Sequence, residues 1–181
     1  MNQGKTFRLK DRHRWKSKPG YCICVLDRGA VRFDFPVGWI VKHTPDSVRI
    51  HDREPPDDNC VLAVSHLRLP PIDWSGLPLR ELVAAAVSNE DREILERKDI
   101  IERRRGDLEL AWVETRYIEA RERREALSRV CIGRGSGVQC LITFDLWADD
   151  AAGLEPVWNE VLGSLVLGWY VEDPTIGPTT Q

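Results

Sequence analysis

The run from Leu108 to Arg121 reads LELAWVETRYIEAR and the run from Val138 to Trp147 reads VQCLITFDLW, with Gly133-Arg134-Gly135-Ser136-Gly137 just before the second. In the first run Leu108, Leu110, Ala111, Trp112, Val113, Tyr117 and Ile118 put apolar side chains on both alternating faces of a strand. In the second, Val138, Cys140, Ile142, Phe144 and Leu146 share one face. A strand that is apolar on both faces is covered on both sides. The sheet is therefore expected to be central, with the helices found elsewhere packed on it.

Outward from that sheet, Tyr21–Leu26 alternates as a strand and Asp27-Arg28-Gly29 turns the chain. The return strand Ala30–Phe35 sets Val31, Phe33 and Phe35 on one face and Arg32 and Asp34 on the other, which is a hairpin pattern. Extended segments follow at residues 39–41, 47–51 and 60–69, the last two separated by the exposed loop EPPDDN at 54–59. Ser75 is placed to cap a helix with Pro78 in its first turn, and Leu79, Leu82, Val83, Ala86 and Ile94 form a stripe that predicts a helix ending near Arg97.

A strand begins at Ile100-Ile101, Arg105-Gly106-Asp107 turns, and the long strand runs to about Arg121. Residues 122–127 read as a charged connection and Ser128–Arg134 as a strand. The last element is a helix over 151–165, with Pro156 near its first turn and Leu154, Val157, Trp158, Val161, Leu162 and Leu165 at helical spacing. Beyond Gly168 the segment from Asp173 to Gln181 reads as unpacked. Strands, a helix, more strands and a final helix make an α+β fold with a mostly antiparallel sheet.

A chain of 181 residues with 42% hydrophobic content suits one domain with a real core. The partition is a basic leader over 1–20, solvated or disordered, a single domain over 21–168, and a flexible tail over 169–181. The formal net charge of −3 divides into +6 in the leader and −9 after it. No nucleic-acid fold stands behind that basic arm, so no nucleic-acid partner is expected. No secretory signal pattern and no apolar run of membrane-spanning length is visible, and Cys22, Cys24, Cys60, Cys131 and Cys140 sit mostly among apolar strand residues; a reduced, cytoplasmic protein without a membrane partner is the expectation.

Catalytic chemistry finds little support. Cys22 and Cys24 share a strand face and in principle join His51, Cys60 or His66 in a zinc site, but paired zinc cysteines are usually further apart and no second pair exists. No serine or cysteine has a nucleophile-elbow context, and His13, His43, His51 and His66 are scattered. Gly133–Gly137 lies between strands, with no following helix to hold phosphate, and reads as a hairpin turn. Residues 90–105 hold six acids and six bases, a solvated face. The expectation is a non-enzyme with no catalytic residues, no metal and no cofactor.

Trp39, Trp112 and Trp158 are assigned to the core, while Trp147 and Trp74 are left for contacts. The face opposite the apolar row presents Glu109, Thr115, Tyr117, Thr143, Asp145 and Trp147. Tyr117, Thr143, Asp145 and Trp147 are the candidate partner-binding residues.

The hairpin ending in Phe33-Asp34-Phe35-Pro36-Val37-Gly38-Trp39, the Leu79-Arg80-Glu81-Leu82 helix, the strands around Trp112 and Ile142, and the closing Val157–Leu165 segment together resemble the PsbP/DcrB-like superfamily over residues 21–168. That superfamily also includes a Ran-binding nuclear-import factor. The resemblance implies an α/β/α sandwich around an antiparallel sheet, used for binding rather than catalysis. One bacterial branch looks like the cytosolic chaperones of type VI secretion effectors, commonly dimers; the longer leader and tail of this chain depart from it. The expected function is thus a protein-binding module, with a cytosolic chaperone or adaptor for a hydrophobic segment of a secreted effector as its concrete form and a homodimer as its state. The alternative is a small-molecule-binding or hydrolytic protein with a pocket under the 52–59 loop.

Overall fold

A computed structural model describes residues 10, 12–88 and 91–177. Within them the alternating stretches form β1 (Tyr21–Leu26), β2 (Val31–Pro36), β3 (Ile40–His43), β4 (Val48–His51) and β5 (Cys60–Arg68). After α1 (Leu79–Ala86) come β6 (Glu93–Arg97), β7 (Ile101–Arg105), β8 (Leu108–Glu119), β9 (Arg124–Gly135) and β10 (Val138–Trp147), then α2 (Ala151–Ser164) and β11 (Val166–Leu167). Eight strands make one antiparallel sheet in the order β3-β4-β5-β10-β9-β8, with β6 and β7 following one another along the outer side of β8. A second sheet runs β1-β2-β11. The architecture is α+β, as the alternation of the long runs requires.

Each face of the large sheet has its own core. On one, Ile50, Leu62, Ile142, Phe144 and Cys131 pack with Phe33 of the small sheet and with Val157, Trp158, Val161 and Leu165 of α2. Phe144 stacks on Trp158 at 6.0 Å, and Trp112 meets Trp158 edge-on at 5.6 Å. On the other face α1 lays Leu79 and Val83 over Ala111, Val113, Val130 and Ile132. Trp158 is fully buried, whereas Trp39 and Trp112 are only partly buried at the rim of the first core.

Four local expectations change. The first helix stops at Ala86 instead of near Arg97, because Ile94 is taken by pairing with Tyr117 in β8. Its N-cap is Pro78, while Ser75 turns back to Asp73, whose carboxylate accepts the Ser75 N–H at 2.9 Å. The stretch 124–127, expected as connection, is the first third of β9, since Arg124 and Leu127 pair with Glu119 and Arg116. Pro156 lies at the sixth position of α2, beyond its first turn.

The residues after Gly168, read as unpacked, have partners as far as Gly177. Lys10 and Arg14 donate backbone N–H groups to the carbonyls of Thr175 (3.1 Å) and Ile176 (2.6 Å). Trp15 of the leader is buried, donates its indole N–H to the Pro174 carbonyl at 2.7 Å, and meets Trp169 edge-on. Leader residues 1–9 and 11, and tail residues 178–181, lie outside the described residues. Arg32 and Asp34, set by alternation on the face of β2 opposite Val31, Phe33 and Phe35, are buried as an ion pair at 2.6 Å. Arg32 donates to the carbonyls of Ser164 (2.9 Å) and Lys16 (2.8 Å), tying the leader and the end of α2 to the small sheet.

Candidate functional site

Period-two alternation and the β9–β10 hairpin register decide which side chains share the α1 face. Thr143 lies opposite Val130, Asp145 opposite Ser128, and Trp147 opposite Ala126; Ala126 and Ser128 are in turn opposite Tyr117 and Thr115. On the far side of β10, Ala63 and Val61 of β5 lie opposite Thr143 and Asp145. All four sequence-predicted site residues are thus on one face. α1 covers only the β8–β9 part of it. The boundary is sharp: Ile132 under α1 is 7% exposed, while its cross-strand neighbour Leu141 is 37% exposed and Leu67 on β5 is 51% exposed.

Tyr117, Asp145 and Trp147 come together around a small pocket of about 150 Å³, closed by Asp58 and Asn59 of the 52–59 loop; Thr143 is outside it. Tyr117 is itself buried, with the Arg92 guanidinium 4.4 Å over its ring. The same guanidinium is 3.9 Å from Asp145. Trp147 is half-buried under Arg124, 4.7 Å from its ring, and Arg124 is also held by Asp149 at 3.0 Å. Both aromatic rings are therefore capped by cations, each on one face.

The loop itself is well held. Asp52 accepts the backbone N–H groups of Asn59 (2.8 Å) and Cys60 (3.2 Å), and the His51 ring nitrogen lies 2.8 Å from an Asp58 oxygen. Burial, reinforced by the charge of Asp52, pushes the Cys60 thiol up to about 12. A thiol in that state is protonated at neutral pH and is not a nucleophile. Cys22 and Cys24 lie in the small sheet and His51, Cys60 and His66 in or beside the large one. Among the described residues no three His, Cys, Asp or Glu side chains are placed to hold a metal ion.

The sequence reading did not single out a charged network on the opposite face. Arg129 donates to Glu114 at 2.7 Å and reaches Glu155 of α2, while Lys98 pairs the other Glu114 oxygen at 2.6 Å. Arg129 and Glu114 are buried beside a cavity of about 360 Å³ floored by Ala148, Ala151 and Ala152. Burial pulls the Glu114 carboxyl up, but hydrogen bonds and charges from Lys98 and Arg129 outweigh it and hold the group below its ordinary range. Arg129 Nη1 has no acceptor among the described residues, and the guanidinium lies 5.8 Å from the Trp158 ring. The available signal was a charged residue within each apolar alternation, Glu114 two residues from Trp112 and Arg129 between Leu127 and Cys131.

Comparison with known proteins fits the fold and is silent on this chemistry. An uncharacterized Nostoc protein, alr1449, is 45% identical over 174 residues, covering 96% of this chain and 91% of its own. Cyanobacterial PsbP from Synechocystis superposes with a TM-score of 0.57 at 14% identity, covering 83% of this chain and 94% of its own. LpqN of Mycobacterium tuberculosis, described as involved in cell envelope biogenesis, gives 0.58 at 12% identity (81% and 89% covered), and the Saccharomyces cerevisiae Ran-binding protein Mog1p gives 0.51 at 11% (81% and 95%). These three likenesses establish a PsbP-like fold, and because residues 22–171 match the Alr1449 family as a whole, the chain belongs to that family.

Proposed function

We propose that the protein is a non-enzymatic protein-binding module whose contact surface is the uncovered half of the α1 face. The carrying observation is Leu141 and Leu67, exposed in the middle strands of a sheet whose neighbouring strands are sealed by a helix. Ser65 and Gln139 lie between these two leucines, and Val61, Ala63 and Thr143 continue a half-buried surface from Leu141 toward Asp145 and Trp147 at one end. Such a surface suits an apolar segment of a partner protein with a polar rim. That a fold of this kind serves protein binding is supported by Mog1p, which is described as Ran-binding.

The concrete form is a cytosolic chaperone or adaptor that shields an apolar stretch of a secreted effector, working as a homodimer. Its support is the sequence resemblance, together with five free cysteines, four of them buried, which suit a reducing compartment. No helix among the described residues is long and apolar enough to cross a membrane. The hydrolytic alternative loses ground on two counts: the pocket at the 52–59 loop is smaller than the roughly 300 Å³ at which ligand pockets begin, and its cysteine is held protonated.

The test is affinity copurification with the full chain and with Leu141→Asp, analysed by mass spectrometry and followed by a binding titration of any protein recovered. A protein that binds the wild-type chain and loses at least about tenfold in affinity with Leu141→Asp, at unchanged thermal stability, supports the reading. Equal binding by both chains, or reproducible recovery of nothing, overturns it.

A further inference from the structure

A further cavity, distinct from the one beside Glu114 and Arg129, lies on the opposite side of the sheet from Leu141. It has a volume of about 430 Å³ and is framed by β7 and the last turns of α2. Its apolar surface comes from Leu110, Trp112 and Leu162. The register of the edge strand sets Arg103 and Arg105 on that side, since they pair with Leu110 and Leu108 while Ile101 pairs with Trp112. Among the described residues no aspartate or glutamate lines the cavity.

Of the three arginines on the lining, Arg104 pairs with Glu109 at 3.6 Å, and the other two do different things. The C-terminal end of a helix carries partial negative charge, which repels an anion. Arg105 removes that obstacle by donating to the carbonyls of Gly163 and Leu165. Arg103 is exposed and has no hydrogen-bond or ion-pair partner among the described residues. An unpaired guanidinium beside an apolar hollow is complementary to a molecule with one negative group and an apolar body.

Gly163 supplies the remaining observation. It is the penultimate residue of α2. Its backbone does not have the positive φ that favours glycine, and a Cβ added there would meet nothing within 4 Å. Neither backbone conformation nor close packing accounts for it. A Cβ at Gly163, as at Gly153 of the same helix, would enter open space, and at Gly163 that space is the cavity it lines.

We infer that this cavity binds an amphiphilic organic anion, a monocarboxylate whose chain lies along Trp112 and Leu162 and whose carboxylate is held by Arg103. The probes are decanoate and 1-decanol, each titrated below the concentration at which it aggregates into the nitrogen-15-labelled full chain. The readout is the indole N–H resonance of Trp112, assigned with Trp112→Phe.

Decanoate is expected to move that resonance and to bind at least about tenfold more tightly than decanol, the difference a charge-assisted hydrogen bond supplies. Arg103→Ala should bring decanoate down to the level of decanol, and Gly163→Leu should abolish binding of both at an unchanged or higher Tm. Leu141→Asp should leave decanoate binding as it is, which separates this cavity from the protein-binding face. An unmoved Trp112 resonance, equal affinity for acid and alcohol, an unchanged Kd in Arg103→Ala, or loss of binding in Leu141→Asp overturns the assignment. Arg103 is exposed, so its variant keeps the test decisive even if Gly163→Leu folds poorly.

Discussion

The two faces of the large sheet are closed to different extents. The face toward α2 is covered by a fourteen-residue helix and a second sheet, and its polar residues Glu114 and Arg129 are buried and paired. The face toward α1 has one helix of eight residues. A helix roughly 10 Å across lying on strands about 4.8 Å apart covers about two of them, and α1 covers β8 and β9. The β5–β10 half of the same face keeps apolar side chains in water. One face thus puts its free energy into stability, and the other leaves the apolar side chains of Leu141 and Leu67 exposed to water.

The largest effect that tests this contrast is Trp158→Ala. The ring is fully buried between Phe144 and Trp112, and its removal empties the middle of the closed face. A loss of about 3–5 kcal/mol is expected from urea unfolding; a loss of less than about 1 kcal/mol would mean that the closed face is not the stability core.

Glu114→Gln comes next, at about 3 kcal/mol, because it leaves the Arg129 charge buried with only Glu155 beside it. The same variant has a pH signature. The folded-state pKa of Glu114 lies below its ordinary 4.5, so its contribution is present above that value and is lost as pH falls through the folded pKa. Asp34 has the opposite sign: burial, against the charge of Arg32, raises its carboxyl above 3.8, so its contribution is present below that value and lost as pH rises through the folded pKa. Subtracting the variant's stability curve from that of the wild-type chain cancels Asp34. The difference should shrink only below about pH 4.5; a difference that is flat there, or that grows, contradicts the geometry of the pair.

What was legible in the sequence follows the same division. Strands β8 and β10 and helix α2 were readable because each repeats its apolar spacing over ten or more residues. The α1–β6 region was not: the stripe from Leu79 continues in phase to Ile94, yet Ser88-Asn89-Glu90-Asp91 carries no apolar side chain and three residue types that compete with helical hydrogen bonds. Pairing with β8 then claims Ile94, a long-range event that no local window records. Trp15 looked like part of a solvated arm for the same reason, since Pro174, its hydrogen-bond partner, is 159 residues away. Among the site residues, alternation placed Tyr117, Asp145 and Trp147 on one face; the burial of Tyr117 came from Arg92 crossing over it. Alternation set Arg32 and Asp34 on the face opposite Phe33, but it marks faces without saying which of them something else will cover, and here both are buried.

Ile132 and Leu141 allow the sharpest comparison with the smallest effect, since they are cross-strand neighbours on one face and differ in whether α1 lies above them. Ile132→Ala should cost about 2–3 kcal/mol, because the lost methyl groups leave a void beneath Val83 and Val130. Leu141→Ala should cost about 1 kcal/mol or less, since its side chain already spends much of its surface in water. The double substitution should be close to additive apart from their direct contact. Once a protein partner is in hand the ranking should invert for binding: Leu141→Ala weakens the complex and Ile132→Ala does not, because the area that contributes nothing to the free chain is the area a partner removes from water. Equal stability costs at the two positions would mean that the uncovered half of the face is sealed in solution, by a second copy of the chain or by the 69–78 segment, and the contrast between the two halves would then be one of assembly rather than of vacancy.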